Sequence, residues 1–138
     1  MKITPYLYFN GNCAEAVALY EKAFGFKALS MPYSDMPSSE GYQAPNGTEN
    51  YMGHTCLTNR EDYTVFLSDT AQNPPTTFGN GMSVCIELDS TEKVKSAFDI
   101  LKEHGTVGME LQQTFWNPCF GTLTDRFGVG WMISVKPN

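Results

Sequence analysis

No stretch of this chain approaches the roughly 20 apolar residues that a membrane-crossing helix needs, so no membrane span is expected. Its opening, MKITPYLYFN, has one lysine, an early proline and no uninterrupted apolar run, and does not read as a signal peptide. Positive charge is scarce too. Lys and Arg total 9 against 15 Asp and Glu, a formal net charge of -6. Binding to a phosphate backbone rests on a basic surface, so no nucleic-acid partner is expected. The four cysteines, Cys13, Cys56, Cys85 and Cys119, lie far apart without a CxxC pair. That spacing matches neither a zinc site, nor a redox motif, nor a compact secreted disulfide framework. Free thiols in a reducing cytosol are the expectation, and with them a cytoplasmic location.

What remains is globular in character. A chain of 138 residues with 41% hydrophobic and 13% aromatic residues matches one ordinary domain and can bury a core without staples. Ile3, Tyr6, Leu7, Tyr8 and Phe9 form a run suited to a strand. Asn12, followed three residues on by Glu15, has the form of a capping box and opens a helix. Cys13, Ala16, Val17, Tyr20 and Phe24 make one apolar stripe along it, and Gly25 permits the left-handed exit. A strand near Phe26 to Tyr33 leads into a polar loop over 34–50. Long loops of this kind act as lids or as plain connectors, and both readings stand. HTCLTNREDYTVFLSD then reads as a β-hairpin around NRED.

TAQNPPTTFGN breaks both helix and strand, marking a boundary between a first module over about 1–70 and a second over about 81–138. In the second, MSVCIELD alternates: Met82, Val84, Ile86 and Leu88 face one way, toward the helices, while Ser83, Cys85 and Glu87 line an inner face. Ser90 or Asp89 caps a helix whose stripe of Val94, Ala97, Phe98 and Leu101 repeats that of the first. Strands near Val107 to Gln112, Phe120 to Thr124 and Trp131 to Val135 complete the unit; Thr122 and Thr124 alternate with Leu123, and Met132 and Ser134 with Trp131, Ile133 and Val135, so that one face feeds the helix-side core. The offset of about 80 residues is too long for a solenoid repeat and suits two half-domain copies, each reading strand, helix, strand, strand, strand.

Two repeats of that order resemble the vicinal oxygen chelate superfamily, which includes glyoxalase I, extradiol dioxygenases and bleomycin-resistance proteins. YLYFNGNCAEAVALYEKAFG near the start, with QTFWN and FGTLTDRFGVGWMISV at the end, is similar to the opening and closing signatures of its PhnB-like branch. The resemblance implies an α+β fold, two βαβββ modules forming a curved mixed sheet around an inner cavity, and a homodimer. The superfamily's enzymes hold a divalent metal with four side chains, one on the first and last strand of each module. Here the matching positions are Pro5, Phe66, Ser83 and Met132, none of them a usual ligand for hard or borderline divalent ions. The expectation is therefore a binding protein that needs no metal and no cofactor and holds a small, partly apolar molecule. One alternative is a superfamily enzyme of lyase, isomerase or dioxygenase type using His54 and Glu87. Another is a methyltransferase, as one name of the branch implies, although no glycine-rich strand-to-helix turn for S-adenosylmethionine is visible.

Candidate ligand contacts are His54, Ser68, Cys85, Glu87, Phe115, Trp116 and Met132. His54 faces inward if a three-residue hairpin loop sets it opposite Ser68, and toward the helices if the turn has two residues. Inward, it can hydrogen-bond a ligand or act as a base. Ser68 with Asp69 reads as a ligand-facing hydroxyl beside a carboxylate, or as a strand end. Cys85 reads as an inner-face nucleophile or, more simply, as a buried apolar filler. Phe115 and Trp116 sit at the predicted cavity rim, where aromatic surfaces stack on planar or apolar ligands. His104 precedes Gly105 at a helix end, where a cation suits the dipole. DRFG forms the last tight turn, with Gly128 and Gly130 supplying unusual backbone angles.

Overall fold

The computed structural model describes residues 1–37, 46–59 and 62–138. The chain runs β1 (Tyr6–Phe9), α1 (Cys13–Phe24), β2 (Lys27–Pro32), a short 3-10 turn (Tyr33–Asp35), β3 (Met52–Asn59) and β4 (Asp62–Asp69). It repeats as β5 (Val84–Leu88), α2 (Thr91–Lys102), β6 (Thr106–Gln112), β7 (Phe120–Thr124) and β8 (Gly130–Val135). Each βαβββ run makes its own four-stranded mixed sheet, ordered β1-β4-β3-β2 and β5-β8-β7-β6. In each, the first strand pairs in parallel with the last, and the other pairings are antiparallel. Two compact units result, Met1–Glu21 with Gly25–Thr76, and Lys22–Phe24 with Thr77–Asn138. Residues 38–45 of the expected loop and 60–61 of the hairpin turn lie outside the described residues.

In the first sheet, Leu7, Phe9, Leu57, Val65 and Leu67 are buried, and of their strand neighbours only Ser68 is buried with them. Cys13, Ala16, Val17, Leu19 and Tyr20 are the buried residues of α1. Cys13 shares a side-chain hydrogen bond with Thr55, which ties the start of the helix to this buried side. The helix leaves at Gly25, whose φ of 70° lies in the left-handed region that the sequence pattern anticipates.

The start of α1 corrects the sequence reading. Asn12 makes no side-chain cap, and its Oδ1 instead accepts from the Asn10 amide at 3.2 Å. A residue far along the chain does the capping. Asp69, only 3% exposed at the end of β4, accepts through Oδ1 from the amides of Gly11 (2.8 Å) and Cys13 (2.9 Å). Its Oδ2 accepts from Met52 N at 2.8 Å. A buried carboxylate survives where several backbone amides satisfy it, and this one joins the β1–α1 turn to the start of β3.

The second unit follows its sequence pattern closely. Val94, Ala97, Phe98 and Leu101 are buried along α2, and Leu123, Trp131 and Ile133 are buried on β7 and β8. Ser90 is the cap, accepting from Lys93 N at 3.2 Å, while Asp89 pairs with the Lys93 ammonium at 3.3 Å. Met82, expected on the helix-facing side, precedes β5 and is 81% exposed. The DRFG turn closes on Asp125, whose Oδ1 accepts from Phe127 N and Val129 N and whose Oδ2 accepts from Trp131 Nε1. Gly128 takes a φ of 91°, whereas Gly130 is not among the positive-φ residues. Gly130 is a glycine for space: a Cβ there would lie 3.0 Å from Ser83 Oγ. His104 has a φ of 60° and its Nε2 lies 3.7 Å from Glu103 Oε1, beyond the end of α2.

Asp69→Asn keeps the shape but turns an amide donor toward backbone donors. Urea denaturation is expected to show a loss of at least about 1.5–3 kcal/mol, the usual scale for hydrogen bonds to a charged group. Asp125→Asn is expected to cost a similar amount. An unchanged midpoint for either variant contradicts the role assigned to that carboxylate.

Candidate functional site

The register of the first sheet decides which side chains meet. Tyr6 of β1 lies opposite Phe66 of β4, Phe66 opposite Cys56 of β3, and Cys56 opposite Leu29 of β2. Met31 lies opposite His54. Alternation therefore puts Tyr6, Phe66, His54, Cys56, Leu29 and Met31 on one face, away from the buried Leu7, Leu57 and Leu67.

His54 reaches that face by an unexpected route. Asn59 pairs with Asp62, so the hairpin has the two-residue connection that on its own turns His54 toward the helices. Between Leu57 and Thr58 the register slips: Leu57 pairs with Val65, but Thr58 pairs with Tyr63. The extra residue, Thr64, donates its hydroxyl to the Leu57 carbonyl at 3.1 Å. A bulge adds one residue to one strand and reverses the parity of everything beyond it, which restores the inward orientation.

This face opens into a cavity of about 700 Å³. Tyr6 of β1 and Gly53, His54 and Cys56 of β3 form one side. Leu29, Ser30 and Met31 of β2, with Met36 and Pro37 beyond the 3-10 turn, form the other. A polar chain crosses it: the Tyr6 hydroxyl lies 2.9 Å from His54 Nδ1, and His54 Nε2 lies 3.3 Å from Cys56 Sγ. The Tyr6 ring stacks on Tyr8 with centroids 4.8 Å apart, and the His54 ring lies 5.2 Å from that of Phe66. Burial pushes the Tyr6 phenol above its ordinary range, opposed by a hydrogen bond from Ser68. Burial likewise pushes the Cys56 thiol up. Both groups are therefore neutral hydrogen-bonding partners near pH 7.

Of the residues singled out from the sequence, His54 lines this cavity and Ser68 touches its Tyr6. Asp69, read as a carboxylate beside Ser68, is instead committed to the three amides described above. Cys85, Glu87 and Met132 lie on the second sheet, where Cys85 pairs with Met132 and Glu87 with Ser134. Cys85 is exposed, so it is not the buried filler its type suggests. Its thiol is raised by partial burial and by the Glu87 carboxylate. Phe115 and Trp116 stand in the β6–β7 connection, 97% and 57% exposed, edge to face at 4.7 Å. Sequence reasoning did not single out Tyr6, Leu29, Met31, Met36, Gly53 or Cys56. The signal for Cys56 was present, since it stands two residues from His54 on a strand and so shares its face.

Comparison with known proteins places this geometry in context. The family model described as "Glyoxalase/Bleomycin resistance protein/Dioxygenase superfamily" matches residues 2–133. The chain is 31% identical to Protein YjdN of Escherichia coli (strain K12), over 98% of this chain and 95% of that protein. The crystal structure of protein PA1353 from Pseudomonas aeruginosa is similar at a TM-score of 0.83 and 34% identity, covering 100% of this chain and 99% of that one. A Bacillus cereus structure named "Putative 3-demethylubiquinone-9 3-methyltransferase, PhnB protein" is similar at a TM-score of 0.79 and 25% identity, covering 99% of this chain and 100% of that one.

Gly53 and Gly105 offer a paired test of how this packing tolerates an added methyl. A Cβ on Gly53 would meet Met36 Cε and Sδ, a flexible side chain that can swing away, and would stand 3.2 Å from the Met31 carbonyl oxygen, a tight but smaller encroachment. On Gly105 it would collide with the Thr124 carbonyl oxygen, which cannot move without the strand. Gly105→Ala is expected to cost about 1–3 kcal/mol in denaturant unfolding, and Gly53→Ala less than about 1 kcal/mol. Equal losses contradict this reading of the two sites.

Proposed function

Because the chain belongs to the glyoxalase/bleomycin resistance protein/dioxygenase superfamily, we propose that its cavity binds a small, partly apolar molecule without a divalent metal ion. The observation that carries this is the cavity of about 700 Å³ with apolar walls and one polar chain across it. Ligand sites are commonly of this size, mostly apolar, with a few placed polar groups. Leu29, Met31 and Met36 would cover the apolar part of a ligand, and His54, held by the Tyr6 hydroxyl, would fix its polar end.

The metal that the superfamily implies does not fit the donor set. Phe66 and Pro5 are direct neighbours, the Phe66 amide donating to the Pro5 carbonyl at 2.9 Å, and neither side chain has a donor atom. Ser83 and Met132 add a hydroxyl and a thioether, poor ligands for hard or borderline ions. No group of three His, Cys, Asp or Glu able to hold an ion occurs among the described residues.

A second reading, an enzyme using acid–base chemistry around His54, is favoured by the 2.9 Å contact between its Nδ1 and the Tyr6 hydroxyl. Glu87, the other residue of that reading, is on β5 of the second unit. The methyl transfer that the Bacillus cereus relative is named for finds less support in this chain. At the β1–α1 turn, the amides of Gly11 and Cys13 donate to Asp69 rather than facing a cofactor. No described helix is long and apolar enough to cross a membrane, and the cytoplasmic location stays part of the proposal. So does the homodimer, supported by the exposed Met82, Phe115 and Trp116.

A thermal-shift screen of apolar metabolites and antibiotics tests the ligand reading. A ligand at a hundredfold excess over its Kd adds about 2.7 kcal/mol of stability. A clear rise in Tm that disappears in Met31→Trp, which fills the cavity, is the expected outcome. Nickel, zinc, manganese and iron(II) are expected to give no stoichiometric uptake, and tight uptake abolished by His54→Ala would defeat the metal-free reading. For the homodimer, light scattering at micromolar protein is expected to return twice the chain mass of 15.4 kDa. A monomer at all concentrations rejects it.

A further inference from the structure

The cavity contains an arrangement that simple binding does not require. Cys56 Sγ lies 3.3 Å from His54 Nε2, and the other ring nitrogen lies 2.9 Å from the Tyr6 hydroxyl. All three residues line the same cavity. A thiol beside an imidazole whose far nitrogen is held by a third group is the arrangement of an activated nucleophile. The other cysteines lack it. Cys13 and Cys119 are buried, and Cys13 is pushed up to about 12 by burial and by Asp69. Cys85 is exposed, but the charged neighbour acting on it is Glu87, which opposes a thiolate. Because burial keeps the Cys56 thiol protonated, a base at the sulfur decides whether it reacts.

We propose that Cys56, with His54 as its base, covalently captures α,β-unsaturated carbonyl compounds of apolar framework inside the cavity. The inference rests on the reading of this cavity as a ligand site and names its substrate class. The chemistry suits the groups present, because conjugate addition needs a soft nucleophile and one base that later returns the proton. His54 Nε2 takes the proton from Sγ, and the sulfur lone pair forms the bond to the β-carbon. The C=C π pair moves onto the carbonyl as an enolate. The imidazolium then gives its proton to the α-carbon, leaving a saturated thioether adduct and neutral His54. No oxidant, reductant or leaving group is involved. Leu29, Met31 and Met36 would hold the hydrocarbon part of the electrophile. Tyr6 acts through His54 and is a positioning residue.

The test incubates the whole protein with oct-1-en-3-one and follows each cysteine by peptide mass spectrometry. Cys56 is expected to be alkylated at least about tenfold faster than the more exposed Cys85, since general-base assistance ordinarily contributes about 10²–10⁴-fold. Its rate should saturate with probe concentration, while that of Cys85 stays linear. His54→Gln is expected to lower the maximal rate at Cys56 at least about tenfold. Tyr6→Phe should lower that rate and leave the half-saturating concentration unchanged, a split that loss of packing does not produce. Saturated octan-3-one reads the cavity by itself: it should protect Cys56 in the native protein and raise the Tm of His54→Gln. If it does both while Cys56 reacts no faster than Cys85, the thiol inference is overturned and the ligand reading stands. Fast alkylation of Cys56 unaltered in both variants also overturns the inference. If octan-3-one neither protects nor stabilises and Cys56 is slow, both readings fall.

Discussion

The buried Asp69 carboxylate is the contact on which the first unit depends. It lies at the end of β4, yet its two oxygens serve the β1–α1 turn and the first residue of β3. Three backbone amides are satisfied by one buried carboxylate, and its charge is tolerated because they satisfy it. Met52, held this way, stands two residues before His54. The same carboxylate that caps the helix thus also fixes the strand carrying His54 and Cys56 into the cavity. Asp125 does comparable work in the second unit, binding the β7–β8 turn and the Trp131 indole together.

The site grows out of strand parity. On β1 the side chains divide, with Leu7 and Phe9 buried and Tyr6 and Tyr8 left on the other face. On β3 and β4 the bulge at Thr64 sets which face each residue takes. With an unbroken register running from Asn59 and Asp62, His54 would fall opposite the buried Leu67; the bulge shifts Leu67 onto Thr55 and leaves His54 on the cavity face. Binding and the thiol chemistry inferred for Cys56 both rest on this local irregularity, because it brings a phenol, an imidazole and a thiol into one row.

How much of this was legible in the sequence varies by element. The stripe Val94, Ala97, Phe98 and Leu101 and the alternation around Leu123, Trp131 and Ile133 placed the second unit's core correctly, since burial there follows period alone. The family resemblance carried the α+β architecture and its two βαβββ runs. For the site, His54 was recognised, but its orientation stood open between two loop lengths, and the observed turn is the one that argued against the inward face. Sequence spacing pairs Asp69 with its neighbour Ser68 and assigns Asn12 the capping role that Asp69 performs.

Periodicity, glycine placement and chain order are local properties, and they were enough to determine the two repeated units, their helices and the packed side of β5, β7 and β8. Which carboxylate caps α1, where β4 bulges and which side chains share the cavity were decided by the tertiary structure. Each of these joins residues far apart in the chain, such as Gly11 with Asp69 or Tyr6 with His54. Hydrogen bonds between distant partners depend on the register of strand pairing, and a one-residue slip changes that register without altering any local pattern.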